Sequence, residues 1–220
     1  MRVVGVDGYR KGWIAVELER GLFAGASLHA RFTDVLDRYR DARVIAVDIP
    51  IGIPDPGPRE ADLEARRFIG DRRSSVFLCP PRRVLESATH AEASALARQI
   101  NGSGISQQAY GLRHRILEVD PIVEERVIEI HPEVSFRALA GRSLSRKKSW
   151  TGAMDRRALV EGAGILLPTE LGEARAAPVD DVLDAAVAVW SGQRYLAGES
   201  RSLPGNPPMD KRGRRVAIWY

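Results

Sequence analysis

The chain has few of the residues that usually advertise chemistry. Its 220 residues include one cysteine, Cys79, which excludes internal disulfides and thiolate metal clusters. A nucleophilic role would need a histidine partner that the sequence does not point out, so Cys79 reads as a small buried residue. Lysine occurs only at Lys11, Lys147, Lys148 and Lys211, leaving arginine to carry most of the basic charge. No apolar run approaches the roughly 18 residues that a bilayer crossing needs. The N-terminal residues enter a strand pattern without the basic and apolar regions of a secretory signal. A cytoplasmic location with no membrane partner is therefore expected. There is no G-x-S-x-G, P-loop or G-x-G-x-x-G, so the sequence carries no hydrolase-elbow, Walker or dinucleotide signature.

What is present is ordinary in bulk: 44% apolar and 28% charged residues, the balance of a globular chain. This length accommodates one α/β domain with an insertion over residues 1–220. The net charge of +4 with abundant arginine suits a polyanionic partner, but such a small excess does not decide the matter.

The pattern from Arg2 to Asp7 is short, β-branched and continuous, as in a strand buried on both faces. Gly12 to Glu19 and Leu22 to His29 read as two more strands joined at Arg20-Gly21. Thr33 is placed to cap a helix to about Tyr39, and "RVIAVDIPIGIPD" gives a fourth strand ending at Asp48. Residues 50 to about 125 change character. A Pro/Gly-rich loop is followed by helical patterns at 59–68, 88–100 and 106–119, read as a helical insertion. "ERVIEIHPEVSF" then returns a strand at 126–130 with a helix opening at Pro132. "PVDDVLDAAVAVWSGQRYLAG" is the strongest helix, closed by Gly198, and "RRVAIWY" reads as a last edge strand.

Asp7 and Asp48 share a grammar, since each is expected to end a buried strand. In open α/β sheets such positions converge on one crevice, where two carboxylates repel unless a proton or a cation lies between them. Mg²⁺ or Mn²⁺ would meet that need, because both prefer oxygen ligands. Asp181 and Asp184 lie about 60° apart on the last helix. Helix-end electrostatics explain Asp180 and Asp181 but fade before Asp184.

This succession of strand Asp, meander, helix, strand Asp and a final D-x-x-D helix resembles the ribonuclease H-like fold. The stretches "VGVDGYRKGWIAVEL", "VIAVDIPIGIPD", "RSSVFLCPPR", "EIHPEVSFRAL" and "PVDDVLDAAVAVW" resemble, more closely, the DUF429 family of predicted ribonuclease H-like nucleases. The resemblance implies an α/β fold with a mixed five-stranded sheet flanked by helices and a helical insertion after the fourth strand. It also implies that Asp7, Asp48, Asp181 and Asp184 hold divalent metal and hydrolyse a phosphodiester bond in nucleic acid. Two alternatives remain open. One is a nucleotide-phosphate transferase or ATPase on the same fold, although this length leaves no room for the usual second lobe. The other is a non-catalytic nucleic-acid or nucleotide-binding protein.

Glu133 departs from the general pattern. It reads either as a further catalytic carboxylate, with His131 as a proton carrier, or as a charge at the start of a helix. Glu129 reads as a surface charge. Tyr9, Arg10 and Trp13 follow Asp7 closely and could meet a base or phosphate, although Trp13 suits a strand-pairing position better. Arg10, Arg73, Arg82, Lys147 and Lys148 are the candidate substrate contacts, the last four drawn from two basic clusters. Ser106 in "NGSGISQQAYG" reads as a helix cap.

Overall fold

A computed structural model describes residues 1–54 and 57–220; Asp55 and Pro56, in the expected Pro/Gly-rich loop, lie outside the described residues. The chain begins with strands β1 (Arg2–Tyr9), β2 (Gly12–Glu19) and β3 (Leu22–His29), then helix α1 (Phe32–Arg38) and strand β4 (Val44–Val47). Helices α2 (Glu60–Ile69), α3 (Arg82–Leu85), α4 (His90–Asn101), α5 (Gln107–Gly111) and α6 (Arg113–Val119) follow. Strand β5 (Val127–Glu129) precedes α7 (Pro132–Ala140), α8 (Trp150–Gly162) and α9 (Val179–Ala197), and the short strands β6 (Ser202–Leu203) and β7 (Ile218–Trp219) come last.

Two compact units result. The first comprises Met1–Ile49, Glu124–Arg201 and Trp219–Tyr220; the second comprises Pro50–Val123 and Ser202–Ile218. Among the described residues, no helix is long and apolar enough to cross a membrane.

The first unit is built on a five-stranded mixed sheet in the order β3-β2-β1-β4-β5. Strands β1, β2 and β3 form the antiparallel meander, and β4 and β5 join in parallel. This is the expected ribonuclease H-like arrangement. The second turn of the meander uses positive φ at both Arg20 (52°) and Gly21 (84°), the twist that suits a two-residue hairpin.

Several boundaries differ from the sequence expectation. Asp7 does not end its strand: it pairs with Ile14, and Gly8 and Tyr9 continue the ladder with β2. What ends there is the parallel edge. Its last pair is Val6 with Val47, and the Asp48 N–H donates to the Val6 carbonyl at 3.0 Å. Strand β4 is four residues long and stops where β1 goes on. Helix α1 is capped by Arg31 rather than Thr33, with Asp34 reaching back to the Arg31 N–H at 3.0 Å. The helix expected at 106–119 is divided after Gly111, a poor helix residue. Ser106 caps its first part as expected, accepting from the Ala109 N–H. The C-terminal strand joins β6 in a separate two-stranded ribbon, not the main sheet.

Register decides which residues share a face. Val3 lies beside Val44 and Gly5 beside Ala46, so two residues on, Asp7 and Asp48 point from neighbouring strands toward the same face. Helix α9 covers that face. A Cβ on Gly5 would lie 2.1 Å from the Ala185 carbonyl oxygen and 2.4 Å from the Val189 nitrogen. Gly192 packs where a Cβ would meet Val3 at 2.8 Å and Ala46 at 3.3 Å. The helix thus runs antiparallel to β1 at backbone contact and brings its first turns to Asp7.

Gly5→Ala should therefore cost about 1–3 kcal/mol or more through overpacking. Chemical denaturation of the two proteins checks this. An unchanged midpoint would mean that α9 does not sit against Gly5.

Candidate functional site

Asp7 and Asp184 are buried, at 6% and 2% exposure, and Asp48 is partly buried just beyond β4. The three sense one another electrostatically. Burial pushes the Asp7 carboxyl well above the ordinary carboxylate range, and Asp184, Asp48 and Asp181 push it further. Burial likewise raises Asp48, with Glu133 adding to the effect, against the opposing charges of His131 and Lys147. Asp184 is pushed up to about 7 by burial, aided by Asp48 and Glu133 and opposed by Lys147.

Lys147 brings an ammonium to this cluster. From the loop before α8, it places its Nζ 2.6 Å from Asp184 Oδ2 and 3.8 Å from Asp180 Oδ2. Burial alone would lower its pKa, but Asp184, Asp7 and Asp48 hold it above the ordinary lysine range. Lys147 therefore stays charged. One ammonium cannot balance three crowded carboxylates, so the remainder must be relieved by bound protons or by a further cation.

By chemistry alone the donors are those a hard divalent ion prefers. They are carboxylate oxygens, and Asp184 Oδ1 is buried with no hydrogen-bond partner among the described residues, which leaves a lone pair directed at nothing. Among the described residues, no group of three or more His, Cys, Asp and Glu side chains is arranged so that it could hold a metal ion. With Lys147 on Asp184, the carboxylates converge without closing into a ligand shell.

Glu133 lies in the first turn of α7, as its helix-start reading expected, and it accepts a hydrogen bond from Arg156 Nη2 at 2.8 Å. Arg156 is fully buried, and its Nη1 also donates to the Ser145 and Gly152 carbonyls. The pair clamps α7 to α8 and to the loop that delivers Lys147. His131 lies near enough to depress Asp48, and its Nδ1 is buried with no partner among the described residues. Glu129 is not a surface charge: it is 4% exposed, because β5 lies next to β4 and both its faces are covered.

The remaining candidates are scattered. Arg10 is exposed at the tip of the first hairpin, and Lys148 is exposed beside Lys147. Trp13 is 1% exposed and meets Phe32 edge-on at 5.2 Å, which confirms its strand-pairing position. Arg73 and Arg82 belong to the second unit; Arg73 is exposed there. Arg82 is tied to Asp120, which Arg212 and Arg214 also engage. Burial would raise the Asp120 carboxyl, but these arginines hold it below the ordinary range. Cys79 is free and buried.

Sequence reasoning missed Lys147 as an internal partner of Asp184, and it missed Arg156 altogether. One signal was available for Lys147: two of only four lysines are adjacent in a chain that otherwise uses arginine, and lysine acts as a compact point charge.

Two expectations follow. Asp184 is raised in the folded chain, so its neutral form favours folding. That stability is fully present below its ordinary value of 3.8 and is lost as pH rises through about 7. Chelator-treated protein should unfold at lower urea at pH 8 than at pH 5, and Asp184→Asn should narrow the gap. Glu133→Gln should cost about 3–5 kcal/mol, because it strands the buried Arg156 charge. Retained stability with altered metal binding would instead make Glu133 a ligand.

A family described as "Protein of unknown function (DUF429)" matches residues 5–209. No curated protein and no solved structure matches the chain. The matched span contains every carboxylate of the cluster together with Lys147 and Arg156, and the chain belongs to the DUF429 family.

Proposed function

We propose that this protein is a divalent-metal-dependent nuclease hydrolysing phosphodiester bonds of a nucleic acid. The observation that carries the reading is the placement of Asp7, Asp48 and Asp184 at one face of the sheet, with each carboxyl raised first by burial and then by nearby carboxylates. Such crowding costs folding energy, and a cation-dependent site gives it a use.

Asp7, Asp48 and Asp184, with Asp181, would hold Mg²⁺ or Mn²⁺. When bound, the metal would supply Lewis acidity for activating water and stabilising the leaving oxygen. The chain's own contribution is positional. Lys147 fixes Asp184 through Oδ2 and leaves Oδ1 directed inward. Glu133 adds negative charge near Asp48 and Asp184 while its own carboxylate is held by Arg156. His131, beside Asp48, is the residue placed to carry a proton.

A second reading is favoured by one observation, the ion pair of Lys147 with Asp184. A protein that keeps its own cation in the cluster can bind nucleic acid or nucleotides without catalysis.

Calorimetric titration with Mn²⁺, paired with cleavage assays on single-stranded, duplex, hybrid and branched substrates, separates the two. The nuclease reading expects Mn²⁺ binding, a raised melting temperature, and cleavage abolished by each of Asp7→Asn, Asp48→Asn and Asp184→Asn. Those variants should be as stable as wild type, or more so, without metal, because repulsion is relieved. Absence of metal-dependent heat in the wild type would sink it.

A further inference from the structure

We infer that the segment Arg146–Trp150 is a binding platform for single-stranded nucleic acid, with Trp150 stacking on an unpaired base and Arg146 and Lys148 meeting the flanking phosphates. In taking nucleic acid as the ligand, this rests on the reading above, and it adds the strand class and the residues that recognise it.

Trp150 stands apart from the other tryptophans. Trp13 is in the core, Trp190 lies under the Arg194 guanidinium at 5.1 Å, and Trp219 meets Tyr195 edge-on at 4.9 Å. Trp150 is 79% exposed. It thereby offers a base an open aromatic face on which to stack. The aromatic function first sought at Tyr9 and Trp13 is not available there, since both are buried.

The segment is also held in place. The Ser149 N–H donates to the Arg146 carbonyl at 2.9 Å, and the Ser149 hydroxyl donates to the same carbonyl at 2.7 Å. That hydroxyl accepts from the Gly152 N–H at 3.1 Å. A Cβ on Gly152 would lie 2.0 Å from the Arg146 carbonyl oxygen, so the start of α8 is pressed against the loop. Arg156 grips the Ser145 carbonyl from below at 2.9 Å. With the backbone held, only the ring's own torsions are left to be ordered on stacking.

Charge supplies the rest. Between exposed Arg146 and Lys148, Lys147 turns inward to Asp184. Trp150 is three residues away, no more than about 10 Å of chain. The carboxylate cluster repels phosphates, and cations at its border offset that repulsion. Stacking on an exposed ring needs a base whose face is free, which a single strand offers and a duplex interior does not.

The test is tryptophan fluorescence titration in chelator with a thymidine oligonucleotide and a duplex of equal length. The expected result is quenching by the single strand and weaker binding of the duplex. Trp150→Ala should weaken binding roughly 5- to 150-fold, Trp150→Phe should retain most of it, and urea denaturation should be unchanged for both because the site is exposed. Lys148→Ala should reduce the slope of log affinity on log salt by about 0.7. Equal affinities for wild type and Trp150→Ala, or preference for duplex, would overturn the inference even if the protein cleaves nucleic acid. Quenching without Mn²⁺-dependent cleavage would uphold it while removing the nuclease reading.

Discussion

The first unit is organised around an imbalance of charge: three largely buried carboxylates act on one ammonium. Placing ions away from water costs several kcal/mol each, and the Lys147–Asp184 pair returns only part of that. The consequences appear in the neighbours. Asp7 and Asp48 favour protons, Lys147 holds its proton tightly, and the Lys147 loop is secured by a fully buried arginine that needs its own carboxylate, Glu133. The crowding follows from the backbone contact of α9 with Gly5, which fixes where the helix crosses the strand.

The parts of this arrangement governed by local rules were legible in the sequence. A β-branched run interrupted by Asp marked Asp7 and Asp48, and a helix charge beyond the reach of the end effect marked Asp184. The meander followed from the succession of strands, and the mixed five-stranded sheet was what the family resemblance implied. The detail at Asp7 was not legible, because the strand's length is set by its antiparallel partner and not by its own residues. Register then did what strand termination was expected to do: Gly5 beside Ala46 brings Asp7 and Asp48 to one face.

What stayed hidden depends on contacts distant in sequence. Arg156 looks like one of many arginines in a charged helix until Glu133, 23 residues earlier, is found at its end. Glu129 alternates like a surface residue because nothing local reports that β5 is covered on both faces. Lys147 and Lys148 read alike, yet one points into the acidic cluster and the other into solvent, a difference set by the loop geometry around Ser149. Arg82 likewise looked available for phosphate until Asp120, 38 residues later, was found to hold it.

The closeness of Gly5 to the backbone of α9 gives the carboxylate cluster its gauge. With atoms of the Ala185 and Val189 backbone set against a bare Cα, the height of Asp184 above Asp7 is fixed by peptide geometry and not by compressible side chains. Ligand shells around small divalent ions tolerate bond-length errors of only a few tenths of an ångström from about 2.1 Å. A methyl group at position 5 would lift the helix and open that spacing, so on the metal-dependent reading proposed above, ion selectivity would depend on a residue that offers no ligand at all.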